Sequence, residues 1–156
     1  MLPPGAIFQT GVNEERRLAV RQGLTAANKK GSAELRRLYG SEADKIRPVE
    51  VYVVAQDGAI LGGAYGTVRW RWFDLDVVWL SDAVRGGGTG RMLMEQVEAA
   101  ARAAEASAIR LSTLDFQARG FYQKCGYRVY GELPNYPETH TEFLLMKDLD
   151  QVSSAA

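Results

Sequence analysis

Four glycines fall within the run Val84-Arg85-Gly86-Gly87-Gly88-Thr89-Gly90-Arg91. The run follows a strand-like segment, Leu75 to Leu80, and opens a helix-like one. Glycines there leave little side chain in the way of a ligand, and their N–H groups can point outward together. The helix N-terminus behind them adds partial positive charge. The combination is a cradle for an anion, phosphate above all. It is not a Walker A loop, because Gly90-Arg91-Met92 stands where Gly-Lys-Ser/Thr would be needed. Nor is it a dinucleotide fingerprint, since three hairpin-spaced strands precede it. Taken alone, the loop is equally a tight turn with no ligand.

Other residues carry chemistry with a bland alternative beside each. Asp74 and Asp76 are i, i+2 on one strand and so share a face. Either is a candidate general base, and either is equally a solvated surface acid. His140 is the only histidine, in a Pro-rich loop from Glu132 that also holds Asn135, Tyr136 and Glu138. It reads as base, substrate contact or plain loop residue. Trp70, Trp72 and Phe73 are either a substrate wall or core. Cys125, the one cysteine, excludes an internal disulfide framework and reads as a small buried residue.

These residues need positioning elements. Ala6 to Gly11 reads as a short first strand, Asn13 to Asn28 as a helix, and Ala33 to Tyr39 as a second helix. Val49–Val54, Ala59–Val68 and Arg69–Leu80 read as three strands, with Asp57-Gly58 as a hairpin turn and a bend near Trp70-Arg71. From Gly88 to Glu105 the pattern is helical. Leu93, Val97, Ala100, Ala101 and Ala104 form an apolar face; Arg91, Glu95, Glu98, Arg102 and Glu105 form a polar one. Ala108–Leu114 reads as a strand, so strand, helix and strand make a crossover with parallel pairing. A short helix, Gln117 to Lys124, and strands at Tyr127–Gly131 and Thr141–Met146 complete an α/β or α+β chain with a mixed sheet.

The 156 residues carry 19 Lys+Arg against 19 Asp+Glu. One domain is expected over residues 1–150, with a frayed tail at 151–156. Zero net charge argues against general nucleic-acid or anionic-membrane binding. No apolar run is long enough for a membrane span, and the N-terminus does not resemble a signal peptide, so a cytoplasmic enzyme is expected.

Two motifs in register identify a family. Arg85-Gly86-Gly87-Gly88-Thr89-Gly90 resembles the Arg-x-x-Gly-x-Gly pyrophosphate loop of the GNAT superfamily of N-acyltransferases. One helix and one strand later, Phe121-Tyr122-Gln123-Lys124-Cys125-Gly126-Tyr127 resembles that family's Phe/Leu-Tyr-x-x-x-Gly-Phe/Tyr segment. The resemblance covers roughly Val49 to Leu149. It implies a mixed, mostly antiparallel sheet of six or seven strands flanked by about four helices, with a V-shaped splay between the two central strands. It implies acetyl-CoA as acyl donor and no metal. The pantetheine arm would pair with the main chain at Val78, Trp79 and Leu80. The pyrophosphate would sit on N–H groups of Arg85 through Arg91, with Thr89 and all four glycines in the cradle. Arg85 would add charge or order the loop. The family's usual asparagine is Asp115 here, and Gln117 would supply the missing amide. Tyr122 would protonate the departing thiolate, Leu80 N–H would stabilise the oxyanion, and Asp74 or Asp76 would be the base.

The acceptor implied is a small primary amine, bordered by Trp72, Tyr136 and His140. The loop resembles a Tyr-Pro-x-x-His segment of small bacterial GNAT proteins. A homodimer is common in the superfamily. Rival readings are a non-catalytic acyl-CoA sensor, a protein or peptide N-acetyltransferase, and an unrelated phosphate-binding module.

Overall fold

A computed structural model describes residues 3–150. The expected tail at 151–156 lies outside the described residues. The chain separates into a unit that ends at Tyr39 and a unit that begins at Gly40. The first holds α1 (Glu14–Gly31) and α2 (Ala33–Leu38). Asn13 caps α1 by accepting from Arg16 N–H at 2.8 Å, and Ser32 caps α2 by accepting from Leu35 N–H at 3.2 Å. The strand expected at Ala6–Gly11 does not form. That segment is irregular and exposed, and among the described residues it pairs with no strand.

The second unit is a six-stranded sheet in the order β1-β2-β3-β4-β6-β5, with β1 (Arg47–Val54), β2 (Ile60–Arg69), β3 (Trp72–Leu80), β4 (Ala108–Leu114), β5 (Arg128–Pro134) and β6 (Thr141–Asp148). Only β3 and β4 are parallel, joined by α3 (Thr89–Ala103). A short α4 (Arg119–Lys124) links β4 to β5. Phe73, Ile109 and Leu145 from the sheet and Met94, Val97 and Ala101 from α3 are fully buried against one another. Burying each of the five larger of these side chains stabilises by about 1.5–3 kcal/mol before entropy is counted.

Asp57-Gly58 does turn the first hairpin, with Gly58 at φ +88° and the Asp57 carboxylate accepting from Ala59 N–H. The second turn uses Trp70 and Arg71, both left-handed at φ 52° and 65°. Neither residue favours that conformation. Tertiary contacts hold it: Trp70 N–H donates to Ala43 C=O, its indole N–H donates to the Asp44 carboxylate, and Arg71 C=O accepts from Ser107 N–H.

One helix face departs from expectation. Glu98, assigned to the polar side of α3, is buried. Lys147 of β6 donates to both of its carboxylate oxygens, at 2.7 and 2.8 Å, and also to Cys125 C=O. Helical periodicity places Glu98 one step from Val97. Only the arrival of Lys147 makes its burial tolerable.

β3 carries a bulge that matters for the site. Gly66 of β2 pairs with Leu75, but Tyr65 pairs with Val77, so Asp76 is the extra residue. The strands approach so closely here that a Cβ on Gly66 would run into the Asp74 carbonyl oxygen and meet the Phe73 ring at 2.9 Å. Gly66→Ala is therefore expected to cost about 1–3 kcal/mol, lowering the melting temperature by roughly 3–10 °C. A calorimetric scan of the variant checks this, and an unchanged melting temperature would contradict the close approach.

Candidate active site

The parallel pair β3 and β4 is joined only over Trp72↔Ala108, Phe73↔Ile109 and Asp74↔Arg110. Beyond that the strands part, while β4 remains paired along its other edge to β6 as far as Leu114↔Glu142. The opening is a cleft of about 1120 Å³. Ser81 N–H donates to Leu61 C=O at 2.8 Å. Strand alternation then turns the main-chain groups of Val77 and Trp79 toward β2, and those of Val78 and Leu80 into the cleft. Val78 and Leu80 thus offer sheet-type hydrogen bonds to whatever lies in the splay. Trp79 contributes its side chain to the wall instead.

The glycine run closes the wide end of the cleft. Gly88, at φ +85°, is the N-cap of α3. The helix's first backbone bond runs from Met92 N–H to Gly88 C=O, so the N–H groups of Thr89, Gly90 and Arg91 have no intrahelical acceptor. A Cβ at Gly86, Gly87 or Gly88 would meet nothing within 4 Å. The space these glycines leave is open to a ligand. Gly86, Gly88, Gly90 and Arg91 line the cleft, whereas Gly87 and Thr89 do not. Arg85 donates from Nε to Leu80 C=O at 2.9 Å and pairs with Asp82 at 2.8 Å. It orders the loop from which the N–H groups project. The cationic side chains Arg85, Arg91 and Lys124 lie along the lining, and the only carboxylate there is Asp76.

Tyr122 lines the same cleft from α4 and is 7% exposed. Burial, followed by the neighbouring Cys125, pushes its hydroxyl up to about 12. Edge-to-face contacts with Phe121 and Tyr127 set its ring, at centroid distances of 5.3 and 5.9 Å. Cys125 is half-buried and its thiol is pushed up by burial, which keeps it an unreactive thiol. Gln117 is on the cleft, its Oε1 held by Thr113 Oγ1 and Leu114 N–H.

Asp115 is not on the cleft. Its Oδ1 meets His140 Nδ1 at 2.9 Å and its Oδ2 accepts from Thr141 N–H at 3.1 Å. Burial works against its charge, but these hydrogen bonds hold its carboxyl below the usual range. With both oxygens engaged, the carboxylate ties β4 to the start of β6. His140 stands one ring from the cleft, edge-on to Phe116 at 4.7 Å, and Phe116 does line it. Tyr136 is half-exposed and away from the cleft, its N–H bonded to His140 C=O.

The two aspartates part company. The bulge breaks the alternation on which their shared face rested. Asp76 lines the cleft, whereas Asp74 lines a separate hollow with Trp72 and is paired through both oxygens with Arg110 Nε and Nη2. Sequence reasoning missed Thr113, Phe116, Phe121 and Lys124 as lining residues. Phe121 is the first position of the second motif and so carried a signal, whereas nothing in the type of Thr113, Phe116 or Lys124 marks it.

A splayed parallel pair, a glycine-rich helix N-terminus at its open end and a buried tyrosine on the following helix define an acyl-CoA-dependent transferase. The acetyltransferase (GNAT) domain model matches residues 47–129, and the chain belongs to the GNAT family of acetyltransferases. Acetyl-CoA is its acyl donor. The chain is similar to blasticidin-S acetyltransferase of Streptomyces morookaense, with 39% identity over 131 residues, covering 81% of this chain and 96% of that protein. An acetyltransferase structure from Bacillus cereus ATCC 14579 matches with a TM-score of 0.76 and 24% identity, over 91% of this chain and 97% of that one. An aminoglycoside 6'-N-acetyltransferase complexed with coenzyme A matches with a TM-score of 0.59 and 17% identity, over 76% and 79%. The two structures share the fold.

Proposed function

We propose that the chain moves the acetyl group of acetyl-CoA directly to a primary amine of a small molecule. The observation that carries this reading is the polarity of the cleft. Arg85, Arg91 and a helix N-terminus stand at the loop end, and one carboxylate, Asp76, stands at the inner end. An anionic cofactor therefore enters with its phosphates at the loop and its acyl group near Asp76. The name of the blasticidin-S relative supports a small-molecule acceptor.

The residues then divide the work. N–H groups of Gly86, Gly88, Gly90 and Arg91 hold the pyrophosphate. Leu80 N–H, next to the loop, serves the pantetheine. Val78 N–H lies deeper and takes the thioester oxygen, the role first expected of Leu80. Asp76 draws the proton from the incoming amine, directly or through water, because Asp74 is committed to Arg110. Tyr122 gives its proton to the departing sulfur. The protein supplies no covalent nucleophile.

Asp76→Asn is expected to lower kcat about a hundredfold and to shift the acidic limb of the pH–rate profile, with acetyl-CoA affinity unchanged. A steady-state profile with released thiol as readout tests it. An unaltered rate and profile would remove Asp76 as the base.

A further inference from the structure

At the closed end of the V lies a hollow of about 430 Å³ that the cofactor reading leaves unused. Phe73, Ile109 and Leu111 are buried in the core with α3, so Trp72, Asp74 and Arg110 point to the opposite face of the sheet. Trp70, Trp72 and Tyr130 supply aromatic walls. Two arginines, Arg69 and Arg110, line it as well. Each is gripped through Nε and Nη2 by a carboxylate, Asp44 for Arg69 and Asp74 for Arg110. That grip fixes both guanidinium planes. It leaves their Nη1 groups with no hydrogen bond within the described residues. Asp44 and Asp74 already match the two cationic charges, so what the hollow offers a ligand is the pair of remaining Nη1 donors.

The position fits the acceptor rather than the donor. Asp74 in the hollow and Asp76 in the cleft are two residues apart on β3, about 7 Å along the strand. The cofactor fills the cleft from the loop side, so the acceptor's body needs room at the other end. Resting on the small-amine reading, we propose that the hollow holds the far end of the acceptor and selects a planar group bearing a carboxylate. The ring stacks on Trp72 and Tyr130, and the carboxylate takes the outward Nη1 donors of Arg110 and Arg69. The reactive amine then reaches Asp76 across roughly the length of a substituted benzene ring.

The test uses two probes, 4-(aminomethyl)benzoate and benzylamine, which differ only in the carboxylate. Transfer from acetyl-CoA is followed by released thiol, and binding to the CoA-loaded protein by calorimetry. The carboxylated probe is expected to have a kcat/KM about tenfold or more above benzylamine, carried by KM. Arg110→Gln is expected to erase that preference while leaving acetyl-CoA affinity unchanged. Equal kcat/KM for the two probes with the wild-type protein overturns the hollow's role and leaves the small-amine reading standing, and this comparison needs no variant. A preference that survives Arg110→Gln also overturns it. Failure of both probes to bind or react, with acetyl-CoA bound normally, overturns the hollow's role and leaves the small-amine reading to be judged with other primary amines.

Discussion

Gly88→Asp is expected to remove acetyl-CoA binding. Two effects act together. The residue sits at φ +85°, where a side chain other than glycine costs about 1–2 kcal/mol. The new carboxylate would also stand where the N–H groups of Gly88 through Arg91 converge, and a like charge against a phosphate costs several kcal/mol. The strain weakens the fold with or without ligand, whereas the charge effect alone corresponds to a loss of more than about a hundredfold in affinity. Gly87→Ala, one position earlier but off the cleft and in open space, is expected to change affinity by less than about threefold. Calorimetric titration of both folded variants with acetyl-CoA makes the comparison. Wild-type affinity in Gly88→Asp would sink the phosphate cradle.

Tyr122→Phe is expected to lower kcat by about 10²–10⁴ while sparing acetyl-CoA affinity. The ring contacts with Phe121 and Tyr127 are kept, and only the hydroxyl is lost. Because burial pushes that hydroxyl up to about 12, it stays protonated throughout the neutral range. Any alkaline limb of the rate profile between about pH 7 and 10 therefore belongs to another group. The same shift has a consequence for stability. The unfolded chain releases this proton near the ordinary phenol value of about 10, before the folded protein does. Stability is thus fully present below that pH and is lost as pH rises through about 12. Tyr127, also raised by burial, acts in the same direction. Between about pH 8 and pH 11 the wild-type protein should lose more melting temperature than Tyr122→Phe. A variant at full rate would exclude Tyr122 as the acid, and an equal pH loss in both proteins would contradict the buried hydroxyl.

The glycine loop and Tyr122 were legible in the sequence because their chemistry is local. Glycines between a strand and a helix expose N–H groups whatever the rest of the chain does. A second motif one helix and one strand later narrows the loop to a single family. The crossover from β3 through α3 to β4 follows from the alternation of periods, and with it parallel pairing. The first strand was not legible correctly: Ala6 to Gly11 has strand-like types, but strandedness needs a partner edge.

Where side chains meet is a matter of the assembled sheet. Asp74 and Asp76 have the same spacing in any strand. The bulge opposite Gly66 sends one to the cleft and leaves the other paired with Arg110, a contact across 36 positions of sequence. Asp115 stands at a motif position, yet His140 and Thr141 from a distant loop and strand occupy both its oxygens. Glu98 reads as a surface acid until Lys147 reaches it from β6. Family and donor cofactor could be read from the linear chain, because two short motifs in register carry the resemblance. The roles of the carboxylates and the hollow at the closed end of the V depend instead on pairings between distant strands. Such pairings form only when burial of the core brings the strands into register.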